Sequence, residues 1–92
     1  MELSKQEISS LEIERQKINK IDELLVKILD TRLEIVKNIS TLKKKLGLEI
    51  FQPAREQQVL DKISKLSKNP EQNQNIFKKI MRESRNFQEN LR

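Results

Sequence analysis

From Ile8 to Leu46 the apolar residues keep a helical step. Ile21, Leu25, Ile28, Ile35, Ile39, Leu42 and Leu46 are separated by three, four or seven positions, the spacing that holds side chains on one face of a helix. This predicts one very long helix over about 4–46. A chain of 92 residues has little further core with which to cover such a stripe, so the pattern favours pairing with a second copy.

The remaining elements follow from start and stop signals. Lys44-Lys45-Leu46-Gly47 suits a helix C-terminus, with the only glycine able to take the left-handed cap. Leu48 to Gln52 form a short connection. Pro53 fits the first position of a second helix, where its missing N–H costs nothing. That helix runs over about 53–67 and should bury Val59, Leu60, Ile63 and Leu66. Asn69-Pro70-Glu71 repeats the signal as a capping side chain, a proline and an acid. A third helix over about 70–90 should then bury Ile76, Phe77, Ile80, Met81, Phe87 and Leu91. Nothing reads as a strand. The expected architecture is all-α, with three helices in one domain spanning residues 1–92.

Composition narrows the chemistry. With neither cysteine nor histidine, the chain lacks a thiolate nucleophile, the usual zinc ligands and the usual general base at neutral pH. It shows no basic-then-apolar leader and no apolar run near eighteen residues, which predicts a cytoplasmic protein. The net charge of +5 favours an anionic partner. Nucleic acid fits poorly, because Phe51, Phe77 and Phe87 are the only aromatics and form no platform for stacking bases.

Three cations sit where the stripe should carry aliphatic side chains. Arg15 follows Leu11 by four and precedes Ile18 by three; Arg32 lies likewise between Ile28 and Ile35, and Lys43 between Ile39 and Leu46. An unpaired buried cation costs several kcal/mol, so each needs an anion. On the third helix, Ser84 and Gln88 interrupt the apolar face one turn apart. Arg55 and Glu56 lie at the start of the second helix, near backbone N–H groups suited to anions. Arg32 and Lys43 are about 17 Å apart along a helix axis and can grip one small molecule. Arg15 and Lys43 are about 42 Å apart on a straight helix, so one small ligand touches both only if Arg15 comes from a second subunit. Satisfied polar residues in a coiled-coil dimer would give the same spacing, and Asp22 and Asp30 pass the same test. Periodicity alone leaves both readings open.

The combination of residues is more specific. Arg15-x2-Ile18-x2-Ile21-Asp22, Leu24-Leu25, Arg32, Lys43, Pro53-Ala54-Arg55-Glu56-x2-Val59-Leu60 and Ser84-x3-Gln88 together resemble the all-helical, type II chorismate mutases over about residues 8–90. The resemblance implies an intertwined homodimer with two equivalent active sites, without metal or organic cofactor. It implies an intramolecular isomerase that converts chorismate to prephenate, the branch-point step toward phenylalanine and tyrosine. In that family's pattern, Arg32 and the partner copy's Arg15 would bind the two substrate carboxylates, with Arg55 adding charge nearby. Lys43 and Gln88 would donate to the ether oxygen, Glu56 would hold the ring hydroxyl, and Ser84 would support a carboxylate and order Gln88. Gln52 stands where some relatives carry aspartate and would act through its backbone. The alternatives are isochorismate pyruvate-lyase activity on the same fold, or a non-catalytic helical dimer binding acidic partners.

Overall fold

The computed structural model describes residues 4–92. It is all-α: α1 (Lys5–Leu46), α2 (Pro53–Leu66) and α3 (Pro70–Leu91). The chain divides into two units, one running through Arg32 and the other formed by Leu33–Arg92. Among the described residues, no helix is long and apolar enough to cross a membrane.

Each helix end has a local cause. The Ser4 hydroxyl accepts the Glu7 N–H at 3.1 Å, satisfying one of the free donors of the first turn of α1. At the other end Gly47 takes a φ of 70°, a conformation that disfavours side chains with a Cβ. The Leu48 N–H reaches back to the Lys43 carbonyl at 2.8 Å, and the Gly47 N–H to that of Lys44 at 3.3 Å. This is the double closure of a Schellman motif. It turns the chain back over Lys43, so the connection from 48 to 52 begins beside that residue.

The α2–α3 corner departs from the sequence expectation. Asn69 makes no side-chain cap. Ser67 does the polar work instead, its hydroxyl accepting the Asn69 N–H at 2.9 Å and the Asn73 side-chain amide at 2.6 Å. Ser67 is extended, with φ −89° and ψ 141°, which brings its hydroxyl to the start of α3. Gln74 then donates to the Leu60 carbonyl at 3.3 Å, fastening α3 to α2.

The buried interior of the Leu33–Arg92 unit is small and half polar. It comprises Val36 and Ser40 of α1, Ile50 of the connection, and Met81, Ser84 and Gln88 of α3. Val59, Leu60, Ile63, Phe77, Ile80 and Phe87 are half-buried, whereas Leu66, Ile76 and Leu91, expected inside, are exposed. The periodic stripe of α1 is also exposed at Ile35, Ile39, Leu42 and Leu46. The reason is geometric: Val36, Ser40 and Lys43 step by four and three along a neighbouring face. That face is turned toward α3, as the bond from Lys43 to Gln88 shows. In the unit ending at Arg32, every described residue from Ser4 to Ile28 is exposed, Leu29 and Arg32 being half-buried.

Candidate active site

Lys43 is the centre of the polar interior. Its ammonium donates to the Ile50 carbonyl at 2.6 Å and to Gln88 Oε1 at 3.0 Å. An ammonium has three N–H bonds, so one remains for a ligand. Burial holds its pKa below the ordinary value of 10.5; the charge of Arg92 pushes the same way, and Glu56 opposes both. A cation in this setting is incompletely solvated and strongly attracts an incoming negative charge.

Gln88 is 4% exposed, and its side-chain oxygen helps orient that cation. Lysine offers no acceptor, so the amide must present its oxygen to Lys43. Its nitrogen donates to the Ser84 carbonyl at 3.3 Å, which leaves a second amide N–H. Ser84 therefore steadies Gln88 through its backbone. The Ser84 hydroxyl bonds back to the Ile80 carbonyl at 2.8 Å, as a serine inside a helix commonly does.

Glu56, in the first turn of α2, forms an ion pair with Arg85 of α3. Arg85 also lies over the Phe51 ring, 4.8 Å from its centroid. Sequence reasoning missed Arg85, which follows Met81 by four but precedes the polar Gln88 by three, and so lacks the apolar residues on both sides that singled out Lys43. It also missed Ile50, a buried residue of the connection whose carbonyl holds Lys43.

The other candidates are more dispersed. Gln52 is half-buried and donates from its side chain to the Glu49 carbonyl at 2.8 Å. Its own carbonyl accepts the Glu56 N–H at 3.1 Å, so its backbone starts α2. Arg55 is exposed one position before Glu56, Arg15 is exposed on α1, and Arg32 is half-buried on the same helix. Arg92 donates to the Leu48 carbonyl at 3.2 Å, near the returning chain. Lys43, Gln88 and Ser84 are thus joined by hydrogen bonds, with Glu56 in electrostatic reach. The cluster can stabilise negative charge developing on an oxygen. It contains no nucleophile–base pair of the kind covalent catalysis needs.

Comparisons with known proteins agree with this chemistry. The sequence model for chorismate mutase type II matches residues 14–89. The chain is 36% identical over 66 residues to a chorismate mutase of Methanocaldococcus jannaschii, covering 72% of this chain and 67% of that protein. It is 37% identical over 54 residues to a bifunctional chorismate mutase/prephenate dehydratase of Aquifex aeolicus, covering 59% of this chain and 15% of the relative. It is 31% identical over 81 residues to the T-protein of Enterobacter agglomerans, covering 84% of this chain and 22% of that one. The chain spans about two thirds of the first relative and less than a quarter of the other two. Matched over most of its length by the family's sequence model and by a relative that it covers to two thirds, the chain belongs to the type II chorismate mutase family.

Proposed function

We propose that the chain catalyses the Claisen rearrangement of chorismate to prephenate, as a homodimer whose two active sites draw residues from both copies. The observation that carries this reading is the Lys43 ammonium. Two acceptors fix it at 2.6 Å and 3.0 Å in a half-buried setting, with one N–H still open.

The reaction is concerted and unimolecular: the ether C–O bond breaks as a new C–C bond forms, with no proton or electron supplied from outside. Two tasks are left to the protein. One is to fold an extended ether into a compact chair, which cations on the two carboxylates enforce. Arg32 and the second copy's Arg15 take that role, with Arg55 nearby. The other is to stabilise the negative charge that grows on the ether oxygen. A fixed donor in a water-poor site does this more strongly in the transition state than in the ground state. Lys43 supplies the open N–H, and Gln88 supplies its second amide N–H beside it. Glu56 accepts the ring hydroxyl. The exposed stripe of α1, including Ile8, Leu11, Ile18, Ile21, Leu25 and Ile28, provides the apolar surface that a second copy would cover.

The test is to add purified protein to chorismate and, separately, to isochorismate, and to identify products. Prephenate from chorismate, with Lys43→Ala lowering turnover by about 10²–10³-fold or more at unchanged helix content, is the expected result. Pyruvate and salicylate from isochorismate alone would move the chain to lyase chemistry. Wild-type turnover in Lys43→Ala would remove Lys43 from the mechanism.

A further inference from the structure

Two cations and one carboxylate share a corner of the Leu33–Arg92 unit. Glu56 Oε1 is engaged by Arg85, while Oε2 accepts no hydrogen bond among the described residues. Arg85 precedes Gln88 by one turn of α3, and Gln88 accepts from Lys43 at 3.0 Å. The Glu56–Arg85 pair and the Lys43 ammonium therefore engage the same stretch of α3, in keeping with the Glu56 charge acting on Lys43. Lys43 has one open N–H, so the two groups are natural partners, yet the structure leaves them unbonded. A direct Lys43–Glu56 bond would fill the N–H that an incoming oxygen needs. Arg85 offers Glu56 a competing guanidinium. The Arg85 group is itself held over Phe51, and planar guanidinium donors bind carboxylate more specifically than a point-like ammonium does.

We infer that Arg85 is a positioning residue that retains Glu56 and thereby keeps the open N–H of Lys43 available to the ligand. The consequence for catalysis rests on the rearrangement proposed above; the consequence for the unliganded protein does not. Arg85 acts through Glu56 and Lys43 and need not touch the substrate. Its retained pairing also decides which Glu56 oxygen faces the ligand: Oε2 is left to accept a hydroxyl.

Arg85→Gln tests this, with Arg85→Met as a second neutral variant that retains an unbranched stem against Phe51. The expected kcat falls about tenfold, the worth of one hydrogen bond lost in the transition state, with a smaller change in KM. In a Glu56→Gln background, whose altered hydroxyl acceptor sets its own baseline, adding Arg85→Gln should cost much less than tenfold, because a neutral amide competes weakly for the ammonium. Arg85→Lys should keep most of the activity. A crystal structure of substrate-free Arg85→Gln should show a Glu56 carboxylate oxygen within hydrogen-bond distance of Lys43 Nζ. If Glu56 stays off Lys43 in that structure, or if Arg85→Gln costs as much in the Glu56→Gln background as in the wild type, the inference is overturned. Should the wild type leave chorismate unchanged, the rearrangement reading falls, while the crystal structure still decides whether Arg85 holds Glu56 from Lys43.

Discussion

The two units of this chain use the same kinds of residue in opposite ways. In the unit ending at Arg32, large apolar side chains such as Ile18, Ile21 and Ile28 are exposed, and the ion pair between Lys17 and Glu14 at 2.9 Å is local to one helical turn. In the Leu33–Arg92 unit, serine and glutamine are buried and bonds run between distant parts of the sequence, as from Lys43 to Gln88. An exposed ion pair one helical turn long contributes a few tenths of a kcal/mol. A buried amide left unpaired costs about 1–3 kcal/mol. The first unit therefore leaves its apolar side chains exposed, and the second holds polar groups in fixed directions.

The largest effect should come from breaking the apolar surface of the first unit. Ile21→Asp combined with Ile28→Asp places charge on two side chains exposed at 61% and 63%. If a second copy covers them, each loses about 1.5–3 kcal/mol of burial, and the carboxylates must also be desolvated. Sedimentation should show a dimer converted to monomer, with chorismate turnover abolished. A dimer of unchanged mass and turnover would show that this surface is not the interface, and the contrast between the units would need another explanation.

A mixing experiment separates the contributions of the two units. Arg15→Ala leaves the Lys43 cluster intact, whereas Lys43→Ala leaves Arg15 intact, and each homodimer should be inactive. After subunit exchange, half of the dimers are mixed, and each mixed dimer has one complete site of two, so activity should return to about a quarter of wild type. Failure to recover, with mixed dimers demonstrated by mass, would place Arg15 and Lys43 in separate roles.

What the sequence revealed follows the same division. The helix boundaries were legible because Gly47, Pro53 and Pro70 act locally, through backbone angles that their own chemistry fixes. Lys43, Ser84 and Gln88 were legible as polar residues at apolar register. Which face each unit buries was not legible: Ile35 and Ile39 belong to the stronger stripe, yet Val36 and Ser40 are the buried pair. That choice depends on the turn at Gly47 and on where α3 returns, neither of which periodicity measures. The Arg85–Glu56 pair spans twenty-nine positions, and no local pattern joins those two residues. Arg85 has apolar Met81 four positions before it but polar Gln88 three after it, so the apolar bracket that marked Lys43 did not mark Arg85.

The smallest expected effect, and the finest test of the contrast, is the pH dependence of Lys43. Burial first, and the Arg92 charge second, hold its ammonium below 10.5, with Glu56 acting against them. The proposed mechanism needs the charged form, so kcat/KM, which reports free enzyme and free substrate, should fall along an alkaline limb below pH 10.5. Stability should move the other way. A depressed folded pKa means that the unfolded chain binds more protons in this window, so Lys43's contribution to stability rises with pH. That contribution is complete above 10.5 and is lost as pH falls through the folded value. Arg92→Gln removes a lowering charge and should shift the limb to higher pH; Glu56→Gln removes a raising one and should shift it lower. Opposite shifts would show that the interior of the Leu33–Arg92 unit, unlike the exposed first unit, sets the charge of its central cation. A limb unmoved by either substitution would assign the loss of activity to another group.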